Sequence, residues 1–206
     1  MRLFRTTLLM MAAVAACAAC ARPAPGGDSS DWCNEVITGL NAEHQRWYDY
    51  DKTHGGENED LEWMRTKPNP PATSEAIRAA EQRLGTHFND ELRQWLAHAD
   101  GWEFFAGTSS LYPTAQLVKD SPTRTIMTEL MEEFNVTASA VGVGSLDDLI
   151  LLGANDSADM FIVTVGCSGQ ACASAPVWQI HGTPTKYNSL REFLTSKVGQ
   201  LKTQKQ

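Results

Sequence analysis

Residues 71–102, PATSEAIRAAEQRLGTHFNDELRQWLAHADGW, read as two short helices hinged at Gly85 and stopped at Asp100-Gly101. Thr73 or Ser74 can cap the first helix, because a hydroxyl there accepts from an orphan backbone N–H. Ile77, Ala80 and Leu84 fall at i, i+3 and i+7 and share one apolar face. Gly85 stands where a helix end favours a left-handed residue. Phe88 fills the gap between the helices. Asn89 caps the second, and Asp90 and Glu91 suit its first turn. Leu92, Trp95 and Leu96 form its buried face. Trp102, Phe104 and Phe105 then open an extended, core-facing run.

Downstream the apolar period changes. Residues 102–106 predict a strand, and residues 111–118 a strand end followed by a turn of helix. Pro122 suits a first helical position. Ile126, Met127, Leu130, Met131 and Phe134 fit an amphipathic helix whose Met-rich stripe reads as core packing. Residues 140–144, 149–153, 160–166 and 176–181 are short apolar runs bounded by turn residues, as strands are. Their close spacing favours an antiparallel meander over crossovers. Ser189 and Glu192 match a capping box. Leu190, Phe193, Leu194, Val198 and Leu201 follow on one face, and Lys197, Lys202 and Lys205 suit the C-terminal end of that helix.

Upstream, residues 31–50 predict a helix with Cys33, Val36, Ile37, Leu40 and Trp47 on one face. His44 falls on the same stripe and reads as a packed or rim residue. Residues 51–60 are polar, contain Gly55-Gly56 and read as a loop; residues 61–64 read as a short helical turn. The run KPNPP at 67–71 is a stiff, extended connector. Residues 32–70 thus form an N-terminal helical extension to a domain at 71–201.

The first residues carry a processing pattern. Arg2 and Arg5 precede an apolar run at 6–16 that is too short to span a bilayer. It ends in Val14-Ala15-Ala16-Cys17, which resembles a bacterial lipobox. Cys20 is the second choice for lipidation, and ordinary secretory cleavage near Ala19-Cys20-Ala21 is a third option. The expectation is a signal peptide at 1–16 and a lipidated tether at 17–31, with the tether-like composition ARPAPGGDSSD from 21 onward. Acyl chains such as palmitate on the new terminus would hold the domain at a membrane.

The net charge of −8 argues against a nucleic-acid partner, which needs a basic face. Loss of Arg2 and Arg5 leaves 15 of 17 basic side chains against 25 acidic ones, a balance of −10. The sequence holds no P-loop, no HExxH and no GxSxG. Gly142-Val143-Gly144 lacks the third glycine of a dinucleotide site. His44, His54, His87, His98 and His181 are scattered, and neither a metal nor a cofactor is expected. Asp147-Asp148, Asp156 and Asp159 read as turn carboxylates. Residues 57–62 are the most acidic segment and would suit a basic partner. Cys167 and Cys172 enclose four residues between predicted strands, which suits a structural disulfide in an exported protein. Cys33 is then a buried free thiol, or pairs with Cys20.

The order of these parts resembles the SUKH superfamily, of the Smi/Knr type, over roughly residues 70–195. Ser74, Ile77, Glu81, Leu84 and Gly85 match its opening helix. Phe88, Leu92, Leu96, Asp100, Gly101 and Trp102 match its second helix and aromatic step. GANDSADMFIVTV at 153–165 resembles its hairpin, Pro176-Val177-Trp178 and His181 its next strand, and SLREFL at 189–194 its closing helix. Asn89 departs from the proline usual after the hydrophobic step. The resemblance implies an α+β fold with a mixed, largely antiparallel sheet and helices packed around it. Bacterial members are often immunity proteins that bind cognate toxins, and fungal relatives act in cell-wall synthesis. No catalytic residues carry over, and no small-molecule substrate is implied.

The resulting expectation is an exported, membrane-anchored lipoprotein of the bacterial cell envelope. It would be a non-enzymatic module binding a protein partner, a toxin in an immunity role. A structural or regulatory envelope lipoprotein is the alternative, and an envelope hydrolase ranks last for want of a nucleophile–base pair.

Overall fold

The computed structural model describes residues 31–55, 62–169 and 171–204, without the side chains of residues 62 and 63. Six strands form one sheet in the order β1-β2-β3-β4-β5-β6, each antiparallel to the next. They are β1 (Trp102–Ala106), β2 (Ser109–Leu111), β3 (Leu149–Asn155), β4 (Phe161–Val165), β5 (Val177–His181) and β6 (Thr183–Tyr187). The helices are α1 (Trp32–His54), α2 (Ser74–Leu84), α3 (Asp90–Leu96), α4 (Pro122–Glu133) and α5 (Leu190–Thr203). This is the expected α+β class, and the sheet is wholly antiparallel.

Alternation along the central strands divides the core in two, because successive side chains of a strand leave opposite faces. Ile150 and Leu152 of β3, Ile162 of β4 and Val177 of β5 join a core with α1, α2, α3 and α5. Leu149, Leu151, Phe161, Val163, Trp178 and Ile180 join a second core under α4, with Met127 and Met131. β3 and β4 are therefore buried on both sides, which is why they read as unbroken apolar runs.

The two helices of 71–102 have the capping that their sequence suggests. Thr73 accepts from Ala76 N at 3.1 Å, and Gly85 closes α2 at φ 67°. Asn89 accepts from Leu92 N at 2.9 Å. Phe88, Leu92, Trp95 and Leu96 are buried. Between the helices lies Glu81, itself buried. Its Oε1 accepts from the Phe88 amide at 2.7 Å and from the Arg93 guanidinium at 2.6 and 3.0 Å. One carboxylate thus fixes the turn after α2 and the angle of α3.

Several local expectations differ from the structure. α1 continues through residues 51–54, which were expected to be loop; Asp51 accepts from the Gly55 amide at the helix end. β1 carries a bulge: Phe104 sits at φ 53° and is half-buried, while Trp102 and Phe105 both face the core. The extra residue re-aims the strand, so a strict two-residue alternation fails there. Residues 140–144 are no strand. Thr137 caps a 3-10 turn at Ala138–Val141, and Gly142 ends it in the left-handed region. β6 was not expected; it is an edge strand, where Pro184 costs no ladder bond.

Two helix faces also differ. On α4, Ile126 and Phe134 are exposed, and Met127 and Met131 carry the burial. Arg124, on the same side as Met127, is buried and donates to the Leu149 carbonyl at 2.7 Å and the Leu146 carbonyl at 2.8 Å. Burial holds its pKa below the usual arginine value. On α5, Ser189 accepts from Glu192 N at 3.2 Å, but the Glu192 carboxylate reaches back to the amide of Asn188 at 2.8 Å, one residue earlier than in a capping box. Lys197 is a core-face residue rather than a C-terminal surface charge.

The Glu81 arrangement gives a direct test. Glu81→Ala strands the Phe88 amide in the interior and is expected to lower stability by about 2–3 kcal/mol. Glu75→Ala removes an exposed pair with Arg78 at 3.0 Å and should change stability by less than about 1 kcal/mol. Urea unfolding of both variants measures the contrast, and equal losses would contradict the role given to Glu81.

Candidate functional site

A concave surface forms where α2 ends. Gly85 turns the chain into Thr86 and His87, and the His87 carbonyl accepts from the Cys167 amide at 2.8 Å. Cys167 and Cys172 are disulfide-bonded, with Cα atoms 5.8 Å apart. The loop they close caps a helix. The free amides of Asp90 and Glu91, at the start of α3, donate to the carbonyls of Cys172 and Ala173 at 2.9 and 3.1 Å. This satisfies donors that a helix N-terminus leaves open.

Two adjoining hollows of about 450 and 750 Å³ share Gly85, Thr86, Cys167 and Ser168. Lys119, Asp147 and Asp148 line the first; Arg78, Glu81 and Arg93 line the second. Both signs of charge occur in each. Mixed charge along an open surface suits contact with another polar surface.

A third hollow, of about 310 Å³, lies between α1 and α5 and is lined by Trp47, Met64, Lys197 and Leu201, among others. The Lys197 ammonium donates to Gln200 Oε1 at 3.2 Å and to Gln179 Oε1. Phe193 lies 5.1 Å from it, ring centroid to nitrogen. Burial pushes the Lys197 pKa down from 10.5 to about 8.

His44 is packed, not poised. Its Nε2 lies 3.1 Å from the Phe105 carbonyl, and its ring meets Trp102 edge-on at 5.7 Å. Burial lowers its pKa. The turn carboxylates have local partners. Asp148 accepts from the Ser145 amide at 3.0 Å, and Asp159 from Asn155 Nδ2 and Ser157. The bond from Asn155 is the main reason the Asp159 carboxyl stays below its usual range.

Among the described residues, one group with metal-ligand chemistry comes together: Asp31, Cys33 and His98. Sequence reading did not join them, because two belong to the start of α1 and the third follows α3. The spacing Asp-x-Cys at a helix start is the only local signal. Asp31 caps α1 by accepting from Asn34 N at 3.3 Å, and that bond is the main cause of its lowered pKa. Cys33 is buried and bonded to no other cysteine among the described residues, and its thiol is pushed up to about 12 by burial, then by Asp31 and Glu91. His98 Nδ1–H donates to the Gln94 carbonyl at 2.8 Å, and Nε2 lies 3.2 Å from the Asp31 carboxylate. His98 Nε2 thus pairs with Asp31 and not with the Cys33 thiol, and the trio is not arranged as a nucleophile–base pair.

Trp102 and Trp178 belong to the core, and Trp47 is half-buried at the third hollow. Cys17 and Cys20, like residues 57–61, lie outside the described residues.

Together these features define a small α+β scaffold that presents hollows and an exposed helix face, braced by a disulfide loop. The chain belongs to the SMI1 / KNR4 family (SUKH-1), which it matches over residues 71–196, more than half its length. A comparison with curated proteins returned no match.

Lys197 makes stability depend on pH. Between about 8 and 10.5 the unfolded chain holds a proton that the folded form has released. Stability should therefore rise with pH across that window, and the full cost of the buried charge applies below it. Lys197→Met is expected to flatten this rise and to gain at least about 1 kcal/mol at neutral pH. Urea unfolding of both proteins across the alkaline range reads the slope; the same slope in both would place the titration elsewhere.

Proposed function

We propose that the chain is a non-enzymatic protein-binding module held at the bacterial cell envelope, acting as an immunity-type partner that neutralises a toxin by stoichiometric binding. The observation that carries this reading is membership of the SUKH-1 family over residues 71–196. Bacterial members of the superfamily often act in that way. The mechanism is occlusion: a folded surface covers the toxin's working surface and needs no chemistry of its own.

The exposed part of α4 supports the contact. Ile126 and Leu130 on α4 and Phe134, which caps its end, follow at i, i+4 and i+8; Leu130 is half-buried against the second core, and the other two reach solvent. Phe134 is 53% and Ile126 38% exposed, and these are the large apolar side chains left exposed among the described residues. An aromatic anchor with aliphatic neighbours is the composition that dominates protein contacts. The hollows around the disulfide loop add mixed charge within the same domain.

The envelope location rests on the sequence. Arg2, Arg5, the apolar run and Val14-Ala15-Ala16-Cys17 support a signal peptide at 1–16, lipidation of Cys17 and a tether at 17–31. Cys20 is the alternative acceptor. Anchoring at the membrane would place the domain where an incoming toxin must pass.

Solubilised membranes from the native host, followed by affinity capture and partner identification, test the binding reading. The expected result is one co-purifying toxin-like protein at equal stoichiometry, lost with Phe134→Asp by about 100-fold in affinity. Recovery of wall-assembly proteins alone would replace the immunity reading with the regulatory one. Mass spectrometry of the mature N-terminus is expected to show an acylated Cys17; an intact, unmodified Met1 would overturn the lipoprotein assignment.

A further inference from the structure

We propose that Asp31, Cys33 and His98 form a zinc-binding site that clasps the start of α1 to the end of α3. The site stands apart from the binding-module reading and does not depend on it.

The donor atoms of the three side chains all lie within 4.8 Å of one another. A tetrahedral zinc ion with bonds of about 2.0–2.3 Å sets its ligands roughly 3.3–3.8 Å apart. The Asp31 carboxylate and His98 Nε2 already stand 3.2 Å apart. The thiol has to close by about 1.5 Å at most, within the reach of a χ1 adjustment.

The donor set suits zinc. Thiolate, imidazole and carboxylate are its three protein ligand types, whereas calcium and magnesium take oxygen alone. Thiolate and carboxylate together carry two negative charges, which match Zn²⁺. On binding, the Cys33 S–H bond breaks, its proton leaves to solvent, and a Zn–S bond forms. His98 binds as neutral imidazole through the Nε2 lone pair. Asp31 is already ionised. No oxidant or reductant is involved.

The surroundings are those of a supported ligand set. His98 Nδ1 lies 2.8 Å from the Gln94 carbonyl, so the N–H belongs on Nδ1 and Nε2 is left to coordinate. Gln94 also accepts from Trp32 Nε1 at 2.9 Å, which fixes the start of α1 against α3. Trp32 stacks on Trp95 at 6.2 Å. Asn34 steadies the Asp31 carboxylate through its amide and its side chain. Cys33 is buried and supplies the inner ligand; Asp31 and His98 reach solvent, which leaves the fourth position to water.

The test uses the full, disulfide-intact chain, stripped of metal with a chelator and titrated with Co²⁺ and then Zn²⁺. The expected result is one equivalent of Co²⁺ showing tetrahedral visible absorption and a thiolate-to-cobalt charge-transfer band, both displaced by Zn²⁺. Cys33→Ser and His98→Gln should each weaken Zn²⁺ binding by at least about 100-fold, and Asp31→Asn by about 10-fold. His98 is part-exposed, so His98→Gln should melt like the metal-free parent, and it keeps the test informative if the buried Cys33→Ser does not fold. Absence of the thiolate band would overturn the site. So would stoichiometric binding that survives His98→Gln, because Cys17 and Cys20 would then be the ligands.

Discussion

The fold depends on a buried carboxylate. Glu81 lies on α2, yet its bonds run forward in sequence, to the Phe88 amide and the Arg93 guanidinium. An apolar side chain in its place would fill the same volume but leave the amide unpaired. Burying an ion is costly unless its acceptor sites are filled, and here they are filled from two directions. The Arg93 side chain is 43% exposed, so the pair is not sealed and its charge attraction is screened. The firmer part of the interaction is the bond to the backbone. It sets the turn at 85–88, and the turn sets where α3 lies. α3 then presents Leu92, Trp95 and Leu96 to the sheet and its free N-terminal amides to the disulfide loop.

From there the constraints pass to the sheet. β2 approaches β3 at Gly153, where any Cβ would run into the Ser110 carbonyl. This close passage coincides with the register irregularity in β3, beyond which Gly153 and Ala154 pair with Ile162 and Phe161. Arg124 performs on the second face what Glu81 performs on the first. It is a buried charge that satisfies backbone groups across a join, here the carbonyls where the 3-10 turn at Leu146–Asp148 feeds β3. Arg124 thus pins α4 to the start of β3, and Glu81 joins α2 to the following turn and to α3, each a single polar side chain placed within apolar packing.

Elements built from local chemistry were legible in the sequence. Thr73, Asn89 and Ser189 cap helices because a short polar side chain reaches an amide two or three residues away, and Gly85 closes α2 for a reason visible within five residues. Features set by distant partners were not. The bulge at Phe104 answers to Ser110 across the hairpin. Lys197 looked like a helix-end cation, but the fold turns it onto Gln179 and Phe193. Residues 140–144 have strand-like apolar content, yet Thr137 and Gly142 close them into a turn. Asp31, Cys33 and His98 escaped notice because contact between the ends of α1 and α3 is a property of packing, with no periodicity to announce it.

That contact also bears on where the domain begins. The family match starts at residue 71, but the core does not. Trp32, Cys33, Val36 and Leu40 of α1 are buried in the same cluster as Leu84, Trp95, Phe105 and Leu194. Gly39 faces Val198 so closely that a Cβ would lie 2.9 Å from its Cγ1, which brings the axes of α1 and α5 together. Each large apolar side chain sealed this way contributes about 1.5–3 kcal/mol, so Trp32, Val36 and Leu40 together are comparable to a typical margin of stability. Without α1, the side of α5 that carries Val198 would lose its cover. The helix before the family segment is therefore part of the folding unit. Asp31, the N-cap of α1, and Trp32 tie the start of that helix to the α3 segment through the Asp31–His98 pair and the Trp32–Gln94 bond.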